Sequence, residues 1–133
     1  VEDLMREDDM RAQLILQMLN DDSEIVATDT VADLVKVTKR LEDLGLSLSE
    51  AKTLLAKLQQ VMVETQVESW LGENRDRDGR RLRSKGSYPV TFHTLFGDVR
   101  LKSPRYYLPR AEGANSPATI SPLRELIPDW LMA

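Results

Sequence analysis

Apolar positions recur at helical spacing through the first half of the chain and alternate with polar ones later on. From Glu2 to about Asn20 the apolar residues Leu4, Leu14, Ile15, Met18 and Leu19 predict a helix, with acids early where the helix dipole favours them. The cluster Asp21-Asp22-Ser23 marks a break. Thr30 followed by Asp33 has the form of a capping signal, and Gly45 is a suitable stop, so a second helix is expected over Val31–Leu44. Ser47 followed by Glu50 is a capping box that opens the strongest helix, about Leu48 to Leu71, closed by Gly72.

That helix carries Leu48, Leu55, Leu58 and Met62 at heptad spacing, which suits the seam of a dimerising coiled coil. Leu54, Val61, Val67 and Trp70 widen the stripe beyond two positions per heptad, which favours a face buried in a small bundle. The two readings coexist if the bundle completes its core with a second copy, so a homo-oligomer is expected.

Alternation dominates later. Between about Tyr88 and Tyr107, runs rich in β-branched and aromatic residues flank Gly97-Asp98, which predicts a hairpin with a type II′ turn at that pair. With that turn Phe96 faces Val99, Leu95 faces Arg100, Thr94 faces Leu101 and His93 faces Lys102. One side of the hairpin then holds Val90, Phe92, Phe96, Val99 and Leu101. The other holds Thr91, His93, Arg100 and Lys102, with Leu95 its only large apolar residue. Pro104 cannot donate to a ladder, so the second strand is expected to lie at an edge or to end there. Ser121-Pro122-Leu123 then starts a short helix, with Ser121 as N-cap and Pro122 at its first position, running to Leu126 or Ile127 before Pro128. The expected fold is therefore α+β and mostly helical. A helical bundle over residues 1–72 carries one long helix (about 48–71). A basic linker over 73–86 and a module over 87–133, with its hairpin at about 88–107, follow.

Composition and charge sharpen this picture. Aromatics make up only 5% of the 133 residues, so the core is built mostly from aliphatic side chains. Cysteine is absent, which removes disulfides and thiolate zinc sites. No apolar run approaches the roughly 20 residues needed to span a bilayer, so no membrane partner is expected and a cytoplasmic location is the default. Net charge is −4, but it is unevenly placed. Residues 1–72 sum to −8, residues 73–110 to +6 and residues 111–133 to −2. Local charge steers a polyanion more than the total does.

The positive segment supplies the candidate site. Arg75, Arg77, Arg80, Arg81, Arg83 and Lys85 put six basic residues into eleven positions. They read as a flexible arm that contacts phosphates, or as a charged loop paired with its own Asp76 and Asp78. His93, Arg100 and Lys102 make the open hairpin face basic. Arg105 precedes Tyr106 and Tyr107, an aromatic and basic mixture that either stacks on bases or covers the edge of a core. Catalytic chemistry is not indicated. His93 is the only histidine, the acid pairs Asp8-Asp9, Asp21-Asp22 and Glu42-Asp43 read as solvated faces and caps, and there is no phosphate-binding loop. Neither metal nor cofactor is expected.

Three stretches together resemble the N-terminal region of ISKra-type transposases of bacterial insertion sequences. They are Gly79–Tyr88, Thr94–Val99 with the following Ser103-Pro104-Arg105, and Ile120–Pro128. The likeness covers about residues 79–128. It implies that a ribonuclease-H-like catalytic domain with a metal-binding acidic triad follows this region. The sequence stops at Ala133, so it reads as the non-catalytic piece, without the cutting machinery. The resemblance further implies a role in binding double-stranded DNA at transposon ends, or in assembling the complex, inside a bacterial cell. Relatives often carry cysteines just after the hairpin; Leu108-Pro109-Arg110 stands here, so a zinc-stabilised version is not expected. The competing reading is a protein-interaction or regulatory module in which the acidic first half dimerises or docks on a basic partner.

Overall fold

The computed structural model describes residues 9–73, 75–77, 80–108 and 118–128; for Arg77 and Arg80 it describes the backbone alone. The expected loop over 111–118 thus lies almost wholly outside the described residues, as do residues 2–8 of the first expected helix. The chain divides into two compact units, Val1–Met62 and Val63–Ala133.

The first unit corrects the expected helical bundle. Strands β1 (Asp9–Leu19) and β2 (Ile25–Val37) form an antiparallel hairpin, and strand outweighs helix in the described structure. The reason is visible in β1. Its even positions Met10, Ala12, Leu14, Leu16 and Met18 are all apolar, while Asp9, Arg11, Gln13 and Gln17 are polar, a period of two. Leu14, Ile15, Met18 and Leu19 fit a helical stripe equally well. The β-branched Ile25, Val26, Thr28, Thr30, Val31, Val35 and Val37 across the turn settle the competition in favour of pairing. The expected break at Asp21-Asp22-Ser23 is the hairpin turn. Asn20 Oδ1 accepts from the backbone N–H of Asp22 and of Glu24, each at 3.0 Å, and Ser23 takes a positive φ of 61°. The expected cap at Thr30 and Asp33 does not form. Asp33 lies in β2 and accepts from Arg11 Nε at 2.8 Å and Nη2 at 2.5 Å. That hydrogen bond holds its carboxyl below the usual range despite some desolvation.

Both register shifts in the ladder place the extra residue on β2, at Val31 and Val26. At Val31 the positions turned inward change from odd (half-buried Ala27 and Asp29, buried Val31) to even (half-buried Ala32, Leu34 and Lys36). A single 3₁₀ turn, Leu41–Asp43, is all the helix found between Val31 and Leu44 among the described residues.

The long helix α1 (Leu48–Glu73) forms where expected. Its capping box is complete: Glu50 N–H donates to Ser47 Oγ at 3.1 Å, and Ser47 N–H donates to Glu50 Oε1 at 2.9 Å. The first turns of α1 run beside β2, where Lys36 pairs with Glu50 and Lys57 with Asp29 at 3.7 Å. The Lys36 ammonium, helped by the Ser47 backbone, holds Glu50 down to about 2.

The second unit is built on a sheet in the order β5-β6-β7, with β5 (Arg83–Thr94), β6 (Gly97–Tyr107) and β7 (Thr119–Ile120). Two short strands, β3 (Asp76–Arg77) and β4 (Arg80–Arg81), pair with each other. The core gathers Val63 and Val67 from α1, Val99 and Leu101 from β6, and Leu123 and Ile127 from helix α2 (Pro122–Leu126) and its end. Leu71, Val90 and Phe92 pack against it. Each fully buried aliphatic side chain contributes about 1.5–3 kcal/mol of transfer free energy. Trp70 Nε1 donates to the Pro122 carbonyl at 3.4 Å, tying α1 to the start of α2. Ser121 stands at the N-cap position and Pro122 opens the helix, as expected, but the Ser121 side chain makes no capping hydrogen bond. Among the described residues no helix is long and apolar enough to cross a membrane.

Candidate nucleic-acid interface

The β5–β6 hairpin turns two residues earlier than expected. Leu95-Phe96 occupy the turn, so Thr94 pairs with Gly97, His93 with Asp98, Phe92 with Val99, Thr91 with Arg100 and Pro89 with Lys102. Local hydrogen bonds account for the change. Thr94 Oγ1 donates to the Gly97 carbonyl at 2.5 Å and accepts from Phe96 N–H at 3.2 Å. His93 Nδ1 meets Asp98 Oδ1 at 2.8 Å across the strands. Gly97 keeps a positive φ of 117°, but beside the turn rather than at its first central position. The shift is even-numbered, so each strand keeps its faces. Val99 and Leu101 are buried and Val90 and Phe92 half-buried, while His93, Arg100 and Lys102 are exposed. Phe96 leaves the apolar face for the turn and is exposed, as is Leu95.

The arm is more ordered than a flexible linker. Arg83 and Lys85 belong to β5, extending the hairpin back from residue 88 to residue 83. Lys85 is the extra residue of a bulge between Ser84 and Gly86. Arg75 sits over the buried Tyr106 ring at 5.3 Å, and its carbonyl accepts from Leu82 N–H at 2.9 Å. Arg77 and Arg80 pair through their backbones, and Arg81 is exposed.

Strand alternation sorts the remaining cations onto two surfaces. Arg100 and Lys102 share the open face with His93 and Thr91. Arg105 does not join them. Its parity is that of Val99, Leu101 and Ser103, and its guanidinium lies 4.6 Å from the Tyr88 ring centroid. Arg124 of α2 lies over the same ring at 5.7 Å and donates from Nε to the Tyr88 hydroxyl at 2.8 Å. Arg83 and Lys85 lie over Tyr107 at 4.9 and 5.9 Å. The result is two tyrosines, each with two cations over its ring, Tyr88 beside α2 and Tyr107 at the end of β6. Tyr106 is buried, with Arg75 over its ring, and does not stand free to stack.

Arg124 and Tyr88 were not among the sequence candidates; only the fold brings α2 to β5. Burial pushes the Tyr88 phenol up, but the nearby Ser103 and Ser121 hydroxyls and the Arg124 hydrogen bond and charge outweigh it and bring it to about 8. Ser103 is wholly buried across from Tyr88. Its hydroxyl has no well-aligned hydrogen-bond partner, yet it lies near enough to Tyr88 to favour the ionised phenol.

On α1, Leu48 is exposed and Leu55, Leu58 and Met62 are half-buried, so the heptad line is not an evenly open seam. Among the described residues no group of three or more histidines and carboxylates is placed to hold a metal ion. No known protein family, curated protein or solved structure matches this chain.

Proposed function

We propose that the second unit binds duplex DNA without cutting it, in the manner of the end-recognition region of an insertion-sequence transposase. The observation that carries this reading is the exposed row of Arg100 and Lys102 beside His93 on a two-stranded ribbon whose other face is core. A β-ribbon of this kind fits the major groove, where the arginine fork can grip guanine. The tyrosine-stacked Arg83, Lys85 and Arg105 support it: cations already held over rings lose less side-chain freedom on meeting phosphate, and their N–H edges stay available for it. In this reading Arg100 reads sequence, and Arg81, Arg83, Lys85 and Arg105 position the backbone.

The test is fluorescence anisotropy of a labelled random duplex pool against the chain at low and moderate salt. Saturable binding that weakens steeply with salt is expected. Absence of binding even at low salt would overturn the reading and leave assembly through the acidic first unit as the function.

A further inference from the structure

We infer that β1 is the interface of a symmetric dimer, in which two copies of this chain pair β1 against β1, antiparallel, with the two-fold axis at Leu14. This goes beyond the DNA reading and does not rest on it.

The starting point is a difference between two strand edges. The first unit has a sheet of two strands, so among the described residues β1 and β2 each pair on one side only. Proteins blunt exposed edges with bulges, charge or cover, because a regular edge recruits further strands. Here β2 is the protected strand. It carries both extra residues of the ladder, at Val26 and Val31, and three charged residues, and α1 runs beside it through the pairs Lys36–Glu50 and Asp29–Lys57. By contrast β1 adds no extra residue to the ladder, and its two charged residues, Asp9 and Arg11, stand at its start, leaving Ala12 to Leu19 without charge.

The face above β1 is also open. Met10, Ala12, Leu14 and Leu34 line an apolar groove of about 590 Å³ with Leu44 and Leu46. Met10 is 62% exposed and Leu46 49%. A partner that fits this place must offer strand edge and apolar side chains together, and β1 itself does so.

Its sequence also selects the register. An antiparallel pairing keeps even positions opposite even ones only when the residue numbers of each pair add to an even total. Centred on Leu14, all eleven residues find partners: Leu14 meets Leu14, Ala12 meets Leu16 and Met10 meets Met18. On the other face Gln13 meets Ile15, Arg11 meets Gln17 and Asp9 meets Leu19. No charge meets a like charge. The apolar side chains of the two β1 strands then form one continuous patch, flanked on each β2 by Ala32 and Leu34. The same operation on β2, centred on Val31, sets Asp29 against Asp33 twice, which is repulsive. The self-complementary strand is thus the unprotected one, and the contact is isologous and closed.

The experiment uses the whole chain. Sedimentation equilibrium should give twice the monomer mass at micromolar concentration. Leu14→Glu and Leu14→Lys each set like charges together at the axis and should weaken the dimer about a hundredfold or more, like-charge contacts costing several kcal/mol. Mixing the two variants should restore a heterodimer, which a misfolded variant could not do. Because the chain has no cysteine, Leu14→Cys adds a unique thiol. It should form an intermolecular disulfide under mild oxidation far faster than Met18→Cys, whose two copies would stand roughly 27 Å apart along the strands. A monomeric wild-type chain, or single Leu14 variants that dimerise as well as wild type, would overturn the inference. So would equal crosslinking at positions 14 and 18.

Discussion

Arg124 reaches from α2 to Tyr88 on β5, donating from Nε to the phenolic oxygen at 2.8 Å while its guanidinium lies over the ring. One contact thus joins the short C-terminal helix to the sheet and alters the chemistry of a tyrosine. The phenol is brought to about 8, against the upward push of burial, by the nearby hydroxyls of Ser103 and Ser121 and by the Arg124 hydrogen bond and charge. Absorbance titration of phenolate should show a step near pH 8 that is missing in Tyr88→Phe and moves upward in Arg124→Ala. Because the folded value lies below the unfolded value, the linkage is absent at pH 7 and stability rises between about pH 8 and pH 10. An unchanged midpoint in Arg124→Ala would remove the contact from the account.

Glu50 gives the opposite end of the pH scale. Its folded value, about 2, lies below the usual 4.5, chiefly through Lys36. The stabilisation is therefore complete above about pH 4.5 and is lost as pH falls towards 2. Glu50→Gln keeps an acceptor for the Ser47 N–H but loses the ionic contact. Urea midpoints measured across this range should fall less steeply in the variant than in wild type.

Leu123 is wholly buried where α2 meets β6 and α1, whereas Leu95 in the hairpin turn is 90% exposed. Truncating the first leaves a cavity among Val63, Val67, Val99 and Leu101. Leu123→Ala should cost about 2–5 kcal/mol, and Leu95→Ala within about 0.5 kcal/mol of nothing. Denaturant unfolding of the two variants measures both.

The two basic surfaces should behave differently if the proposed DNA reading holds. Arg100→Ala should relax sequence preference and cost about 1–3 kcal/mol on the preferred site alone. Arg105→Ala and Arg83→Ala should weaken all duplexes alike and each lower the salt slope by about one. Selection from a random pool, followed by salt titration, separates the roles; equal effects on every sequence would sink the assignment of Arg100.

What could be read from the sequence was whatever is settled within a few residues. The Ser47–Glu50 box closes over three positions, and Pro122 opens α2 through its fixed φ, so both helix starts were legible although Ser121 makes no capping hydrogen bond. The two faces of the β5–β6 hairpin were legible because alternation belongs to each strand, and an even shift of the turn leaves it intact. The turn itself was not, since it depends on Thr94 closing over Gly97 and on His93 meeting Asp98. Nor was β1 recognised as a strand. Its apolar residues satisfy both a helical stripe and a period of two, and pairing with a β-branched strand across the turn decides between them. Alternation along β6 already puts Arg105 on the face away from Arg100, but only the tertiary structure brought Arg124 of α2 to Tyr88 beside it, because α2 and β5 are far apart in sequence. Local chemistry was written in the order of residues; pairing over longer separations was decided only when the strands met.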